Sequence, residues 1–256
     1  MRTAGVDLAA EPRGTALAVI EWSESAARIV QLELGAPDEP IVAAALSVDK
    51  IGIDCALGWP QEFVEFMASH ANVAETSTPV DGGMEWRRRL AYRETDRNVR
   101  EQTGRWPLSV STDRLGLTAM RCAGLLSRMN SAGLDVDRSG SGTMVEVYPG
   151  ASLRQWGFDT TGYRVSLDAR PRLVALLRER AAWLEIGGFA ELMMKSADAL
   201  DAVVAALAAR ASAVGICPPP PPEHALLART EGWIALPPVG SLTALVSRTE
   251  RPSALR

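Results

Sequence analysis

Four aspartates stand at positions where carboxylates do chemistry. Asp7 follows Gly5-Val6, and Asp54 follows Gly52-Ile53, each at the C-terminal end of a short apolar run that reads as a buried strand. Asp198 and Asp201 lie three apart in the alanine-rich stretch Ala197 to Ala211, which reads as a helix, so both project from one face. Two strand ends and one helix can gather these four groups. Such a cluster repels itself unless a cation sits inside it. Oxygen-only ligands suit Mg²⁺ or Mn²⁺. Two such ions about 4 Å apart would activate water and stabilise the leaving oxygen of a phosphodiester. Taken singly, each carboxylate has an ordinary explanation. A strand-end Asp forms turns or caps helices, and Asp198 suits the positive start of its own helix. Asp201 is the hardest to explain that way, because an alanine-rich packing helix gains little from it. Glu146, in the run Thr143 to Tyr148, either joins the cluster or pairs with an arginine.

A second constellation is basic. Arg87, Arg88, Arg89, Arg93, Arg97, Arg100 and Arg105 are interleaved with Trp86, Tyr92 and Trp106. Arginines with aromatics between them can hold phosphates and stack bases. Arg89, Arg93 and Arg97 align if Glu85 to Glu101 is one helix. Glu85, Glu94, Asp96 and Glu101 offset part of that charge, as on a solvated helix face.

Other chemistries find few residues to carry them. The two histidines, His70 and His224, fall in surface-like segments, which disfavours a histidine metal site or a Ser-His triad. No P-loop or dinucleotide glycine motif follows a strand. Cys55, Cys122 and Cys217 are odd in number and far apart, so neither a disulfide framework nor a zinc ribbon is indicated. That pattern, the lack of a signal-peptide core and the lack of a long apolar run point to a cytoplasmic protein with no membrane segment. The net charge of -4 means that any nucleic-acid contact must come from a local patch.

The elements that must position these groups follow from local pattern. Three strands, Thr3–Ala9, Thr15–Trp22 and Ala27–Leu34, are joined by hairpin-sized turns. A short helix opens at Asp38-Glu39-Pro40, with Asp38 as its N-cap. Asp49–Asp54 is a fourth strand, and Pro60 starts a helix to about Ser69. Residues 71–83 read as an irregular loop. Asp113–Ala132 is an amphipathic helix, and Thr143–Tyr148 is the fifth strand. Helices are expected near 151–156 and 168–184, then Ala197–Ala211 packing closely on the sheet. The five prolines Pro218 to Pro222 form a stiff connector.

Several of these segments together resemble a known family. Gly5-Val6-Asp7, Gly52-Ile53-Asp54-Cys55-Ala56-Leu57-Gly58-Trp59-Pro60, Tyr92-Arg93-Glu94-Thr95-Asp96-Arg97, Val145-Glu146-Val147-Tyr148-Pro149, Asp198-Ala199-Leu200-Asp201-Ala202 and Glu231-Gly232-Trp233-Ile234 are similar to the motif set of domain-of-unknown-function family 429. That family is described as predicted nucleases of RNase H-like fold. The Asp-x-x-Asp helix also resembles the Holliday-junction resolvase branch, in which Glu usually stands where this chain has Asp54.

The resemblance implies an RNase H-like α/β fold: a mixed five-stranded sheet, three antiparallel strands then parallel ones, flanked by helices. It implies one domain over residues 1–216 with a helical insertion near 60–132, and a Pro-rich connector and tail over 217–256 packing on it. It makes Asp7, Asp54 and Asp201 metal ligands, with Asp198 and Glu146 as further catalytic candidates. It puts Arg93 and Arg97 at the substrate, with Asp96 orienting them; Lys195, just before the last helix, is a further phosphate contact read from its position. The implied activity is a divalent-metal-dependent nuclease using Mg²⁺ or Mn²⁺. The alternative is a catalytically inactive module of the same fold that binds nucleic acid or protein. The related actin-like ATPases share a first-strand Asp. Here, though, the turn after Asp7 reads Leu8-Ala9-Ala10-Glu11-Pro12 and lacks a phosphate loop.

Overall fold

The computed structural model describes residues 1–72 and 82–247. The irregular loop expected at 71–83 falls mostly outside them. The strands are β1 (Arg2–Asp7), β2 (Ala16–Trp22), β3 (Ala27–Leu34), β4 (Lys50–Asp54), β5 (Met144–Glu146) and β6 (Leu184–Glu185). Helix α1 (Asp38–Ser47) precedes β4. Helices α2 (Gln61–Ala71), α3 (Gly83–Ala91), α4 (Glu94–Thr103) and α5 (Gly116–Ser131) lie between β4 and β5. Then come α6 (Pro149–Gln155), α7 (Ala169–Arg180), α8 (Ala190–Lys195), α9 (Ala197–Ala213), α10 (Ala225–Glu231) and α11 (Ala244–Ser247).

One sheet carries the order β5-β4-β1-β2-β3-β6. Strands β1, β2 and β3 form an antiparallel meander. Strands β1 and β4, β4 and β5, and β3 and β6 pair in parallel. The sheet therefore has six strands rather than the expected five. The sixth is two residues long, too short to show a pattern, and it occupies what reads in the sequence as the end of the 168–184 helix. That helix stops at Arg180 instead.

Alternation along β1 and β4 divides the core. Ala4, Val6, Ile51 and Ile53 pack toward α1 and α5, and α9 covers the other face. Gly5 and Gly52 are register partners on that second face. A Cβ on Gly5 would overlap the backbone of Ala202 and Ala206, and one on Gly52 would stand 2.7 Å from Ala205 O. The two glycines thus remove the side chains that would otherwise hold α9 away. Every residue of α9 from Ala199 to Ala211 is buried as a result. Asp7 and Asp54 lie two residues beyond these glycines, so they point to the same face, under the first turns of α9.

Three local expectations need correction. The Glu85–Glu101 segment is two helices broken at Tyr92-Arg93, because Arg93 adopts an extended conformation and turns inward. Pro37, not Asp38, caps α1, and Asp38 is drawn to the Arg121 guanidinium at 2.8 Å. Helix α5 starts after Asp113, whose carboxylate accepts from Ser109 N at 2.7 Å rather than entering the helix. Beyond the proline run, Ile234 forms a parallel bridge with Glu146, which extends the β5 edge.

Candidate functional site

Asp7 and Asp54 are themselves register partners at the ends of adjacent parallel strands. Their carboxyl groups lie within hydrogen-bonding reach of each other. Asp201 enters from α9, fully buried, and Asp198 stands one turn earlier at the rim. Ser196 caps α9 by accepting from Ala199 N, so the helix start is held in place without help from Asp198.

Two neighbouring residues bind this cluster together. Tyr163 donates its hydroxyl to Asp201, with 2.8 Å to Oδ1 and 3.1 Å to Oδ2. The Arg164 guanidinium lies among the carboxylates. Its Nη1 donates to Asp201 Oδ2, and its Nη2 is 3.5 Å from both Asp7 Oδ2 and Asp198 Oδ1. One cation thus faces four carboxylates, and half of its side chain is exposed.

The electrostatics follow from that imbalance. Burial pushes the Asp7 carboxyl far above its ordinary range, Asp54 and Asp201 push it further, and Arg164 opposes them. Asp54 is raised by burial and then by Asp201. Asp201 is raised less, because Arg164 and the Tyr163 hydroxyl favour its charged form. Arg164 stays charged, since its carboxylate neighbours outweigh its partial burial.

These donors are hard oxygens that outnumber the one cation among them, which fits Mg²⁺ or Mn²⁺ in chemistry; an ion bound there would displace their protons. Among the described residues, no three His, Cys, Asp or Glu side chains converge closely enough to coordinate one ion. The Arg164 guanidinium holds the cationic position between them.

Glu146 does not join the cluster. It pairs in register with Ile53, so it points to the sheet face opposite Asp7 and Asp54. There the Arg93 fork grips it, with Nη1 to Oε2 at 2.8 Å and Nη2 to Oε1 at 2.7 Å. The same guanidinium grips Asp96 through Nε at 3.1 Å and Nη2 at 2.9 Å, and Nη1 also donates to Glu231 O at 3.0 Å. All five N–H groups of Arg93 are thereby used, which leaves none for a phosphate. Glu231 completes the assembly by accepting from Gln61 N and Glu94 N, the first residues of α2 and α4. Gly232, at φ 92°, lets the chain pass Glu146, since a Cβ there would stand 2.7 Å from Oε2.

The remaining substrate candidates lie elsewhere. Arg97 pairs with Glu94 at 3.1 Å, and its Nη2 donates to the Arg88 and Tyr92 carbonyls. Lys195 pairs with Glu191 at 2.6 Å on the surface. Neither lines the cleft beside the carboxylates.

That cleft has a volume of about 560 Å³, and Asp7, Asp54, Arg93 and Glu146 are among the residues that line it. Arg105, Arg114, Arg154 and Arg164 line it together with Tyr148 and Tyr163. Sequence reasoning passed over every one of these except Arg105 and Tyr148. Arg164 and Tyr163 sit in the connection between α6 and α7, where no period or spacing marks them. The three cysteines are free and buried. Among the described residues no helix is long and apolar enough to cross a membrane.

The profile of one family, described as "Protein of unknown function (DUF429)", matches residues 5–225 of the 256. No curated protein and no solved structure matches the chain.

Proposed function

We propose that this chain, which belongs to the DUF429 family of proteins of unknown function, is a divalent-metal-dependent phosphodiesterase acting on nucleic acid, built on an RNase H-like fold. The fold reading is supported by the strand order 3-2-1-4-5 within the larger sheet, with β2 antiparallel to its neighbours. One observation carries the functional reading. Asp7 and Asp54 are paired at adjacent parallel strand ends, with the buried Asp201 brought over them by the helix that Gly5 and Gly52 admit. Buried carboxylates that raise one another's pKa cluster at functional sites.

Asp7, Asp54 and Asp201 would hold the metal once Arg164 withdraws and their carboxylates draw together, with Asp198 at the rim. Bound there, Mg²⁺ or Mn²⁺ would supply charge neutralisation and an activated water. The chain's own contribution is orientation. Tyr163 fixes the Asp201 carboxylate, and the sheet register fixes Asp7 against Asp54.

A second reading is favoured by Arg164. Its guanidinium already neutralises part of the cluster, as in a catalytically inactive binding module of the same fold. The two readings part on Mn²⁺ titration by calorimetry. In the first, Arg164 gives way to the ion, so wild type shows Asp7-dependent heat and Arg164→Gln binds Mn²⁺ more tightly. In the second, neither protein shows such heat. Activity is tested with Mg²⁺ or Mn²⁺ on duplex, single-stranded and branched DNA and an RNA–DNA hybrid, with Asp7→Asn as control. Cleavage by wild type alone is the expected result. Failure to cut any of the panel overturns the nuclease reading.

A further inference from the structure

We infer that the arginine-lined wall of the cleft is a phosphate-binding surface, with Arg154 as its anchor and Arg105 and Arg114 at its mouth. The inference rests on the phosphodiesterase reading and adds the residues that hold the substrate's backbone. Three observations carry it.

The first is an unsatisfied fork. Arg154 lies on the ring face of Tyr148, its Cζ 5.6 Å from the centroid. Stacking supports the guanidinium plane from one side and leaves its N–H groups aimed along the plane. Nε and Nη2 of Arg154 are shut off from bulk solvent, and neither meets an acceptor among the described residues. Arg93 and Arg170, by contrast, donate to protein acceptors through all three of their nitrogens. A charged donor left without a partner is unfavourable, and because Arg154 lines the cleft, turning its guanidinium outward would present these unspent donors to a phosphate oxygen, the acceptor that best matches a guanidinium edge.

The second is position. Arg154 Nη1 and Tyr163 Oη each stand 3.6 Å from the point a Cβ on Gly150 would occupy, so they lie within twice that distance of each other. The Tyr163 hydroxyl is bonded to Asp201. An anion held by Arg154 therefore sits next to the carboxylate cluster rather than at a remote surface.

The third is local charge. The chain carries a net charge of -4. Arg105 and Arg114 nevertheless line this one cleft in exposed positions, and no carboxylate of the described residues pairs with either. A basic patch on an acidic protein selects a polyanion by place, since attraction falls off within a Debye length. The ligand class is the phosphodiester backbone of a nucleic-acid strand.

The test is anisotropy of a fluorescein-labelled single-stranded 12-mer DNA over a salt series in EDTA, so that metal plays no part. Arg154→Met keeps the stem over Tyr148 and removes the donors, and it should weaken binding at least tenfold. Its log K against log salt slope should fall by about 0.7 for each phosphate that the variant no longer neutralises. Arg114→Gln, on an exposed side chain, should leave the melting temperature near wild type and weaken binding severalfold. Arg28→Gln, outside the cleft, should leave it unchanged. Mn²⁺ heat in Arg154→Met should match wild type, because Arg154 is no ligand. If Arg154→Met and Arg114→Gln bind the 12-mer as wild type does, the proposal is overturned. It is overturned equally if the wild type binds neither the 12-mer nor inorganic phosphate. Arg154-dependent protection by inorganic phosphate without DNA binding would keep the anion site and remove its nucleic-acid assignment. Arg154-dependent DNA binding without Asp7-dependent Mn²⁺ heat would keep the site and remove the metal reading.

Discussion

Two arginines in this molecule each sit among carboxylates, one on either face of the sheet. Arg93 faces Glu146 and Asp96 with both side chains almost fully buried at the wall of the cleft and every N–H matched. Arg164 faces Asp7, Asp198 and Asp201, with Asp54 behind them, and its side chain is half exposed. In the first assembly one guanidinium meets two carboxylates, and every one of its hydrogen bonds is matched. In the second, four carboxyl groups crowd one half-exposed guanidinium, and burial with mutual repulsion holds Asp7 and Asp54 protonated. A closed ionic cluster holds elements together. Here it ties the start of α4, β5 and the last residue of α10 at one point. An open cluster of crowded, protonated carboxyls can exchange its protons for a cation that relieves their repulsion. The Arg93 assembly is accordingly architecture, and the Arg164 assembly is the candidate site.

The comparison breaks most visibly at Arg93. Arg93→Met leaves Glu146 and Asp96 buried without their counter-ion, a change that costs about 3–5 kcal/mol in comparable buried pairs. Urea unfolding should show that loss. A variant of wild-type stability that no longer binds nucleic acid would move Arg93 from the framework to the substrate.

The carboxylates of the open cluster should behave in the opposite sense. Their folded pKa values lie above the ordinary 3.8, at about 10 for Asp7, about 8 for Asp54 and about 6 for Asp201. The folded protein therefore binds more protons than the unfolded chain. The stability due to these groups is fully present below pH 3.8 and is lost as pH rises through the folded values. Metal-free protein should lose up to about 1.4 kcal/mol per pH unit for each proton so held. Asp7→Asn, which mimics the protonated carboxyl, should flatten that slope and melt higher than wild type at pH 8 in EDTA. A lower melting temperature for Asp7→Asn under those conditions would make Asp7 a structural anchor like Glu146.

Much of the open cluster was legible in the sequence, and little of the closed one. Gly5-x-Asp7 and Gly52-x-Asp54 share a spacing that puts glycine and aspartate on one strand face, and Ala197 to Ala211 shows the helix able to lie on those glycines. These are local patterns with a period, so they can be read before folding. Arg164 cannot be read in that way, because it belongs to a turn and reaches the cluster only through the tertiary path of the α6–α7 connection. Arg93 misleads for a related reason. Arg89, Arg93 and Arg97 have helical spacing, yet the pull of Glu146, 53 residues away, is stronger than local preference and breaks the helix at Arg93. The two-residue β6 and the Glu231 cap on α2 and α4 are likewise products of long-range pairing.

The smallest expected effects belong to the two cations that belong to neither assembly. Arg97 forms an i,i+3 pair with Glu94, and both side chains are about one-third exposed. Solvent screens such pairs, so Arg97→Gln should cost less than about 1 kcal/mol. Lys195 and Glu191 pair across one turn with nearly three-quarters of each side chain in solvent. Lys195→Ala should leave the melting temperature unchanged within error. The informative readout for both is DNA binding in the salt series. If the phosphate surface is the Arg154 wall, both variants keep the wild-type slope. A slope reduced by either one would extend the surface beyond the cleft, along α4 for Arg97 or toward the end of α8 for Lys195. The boundary between open site and closed framework would then have to be redrawn on that side.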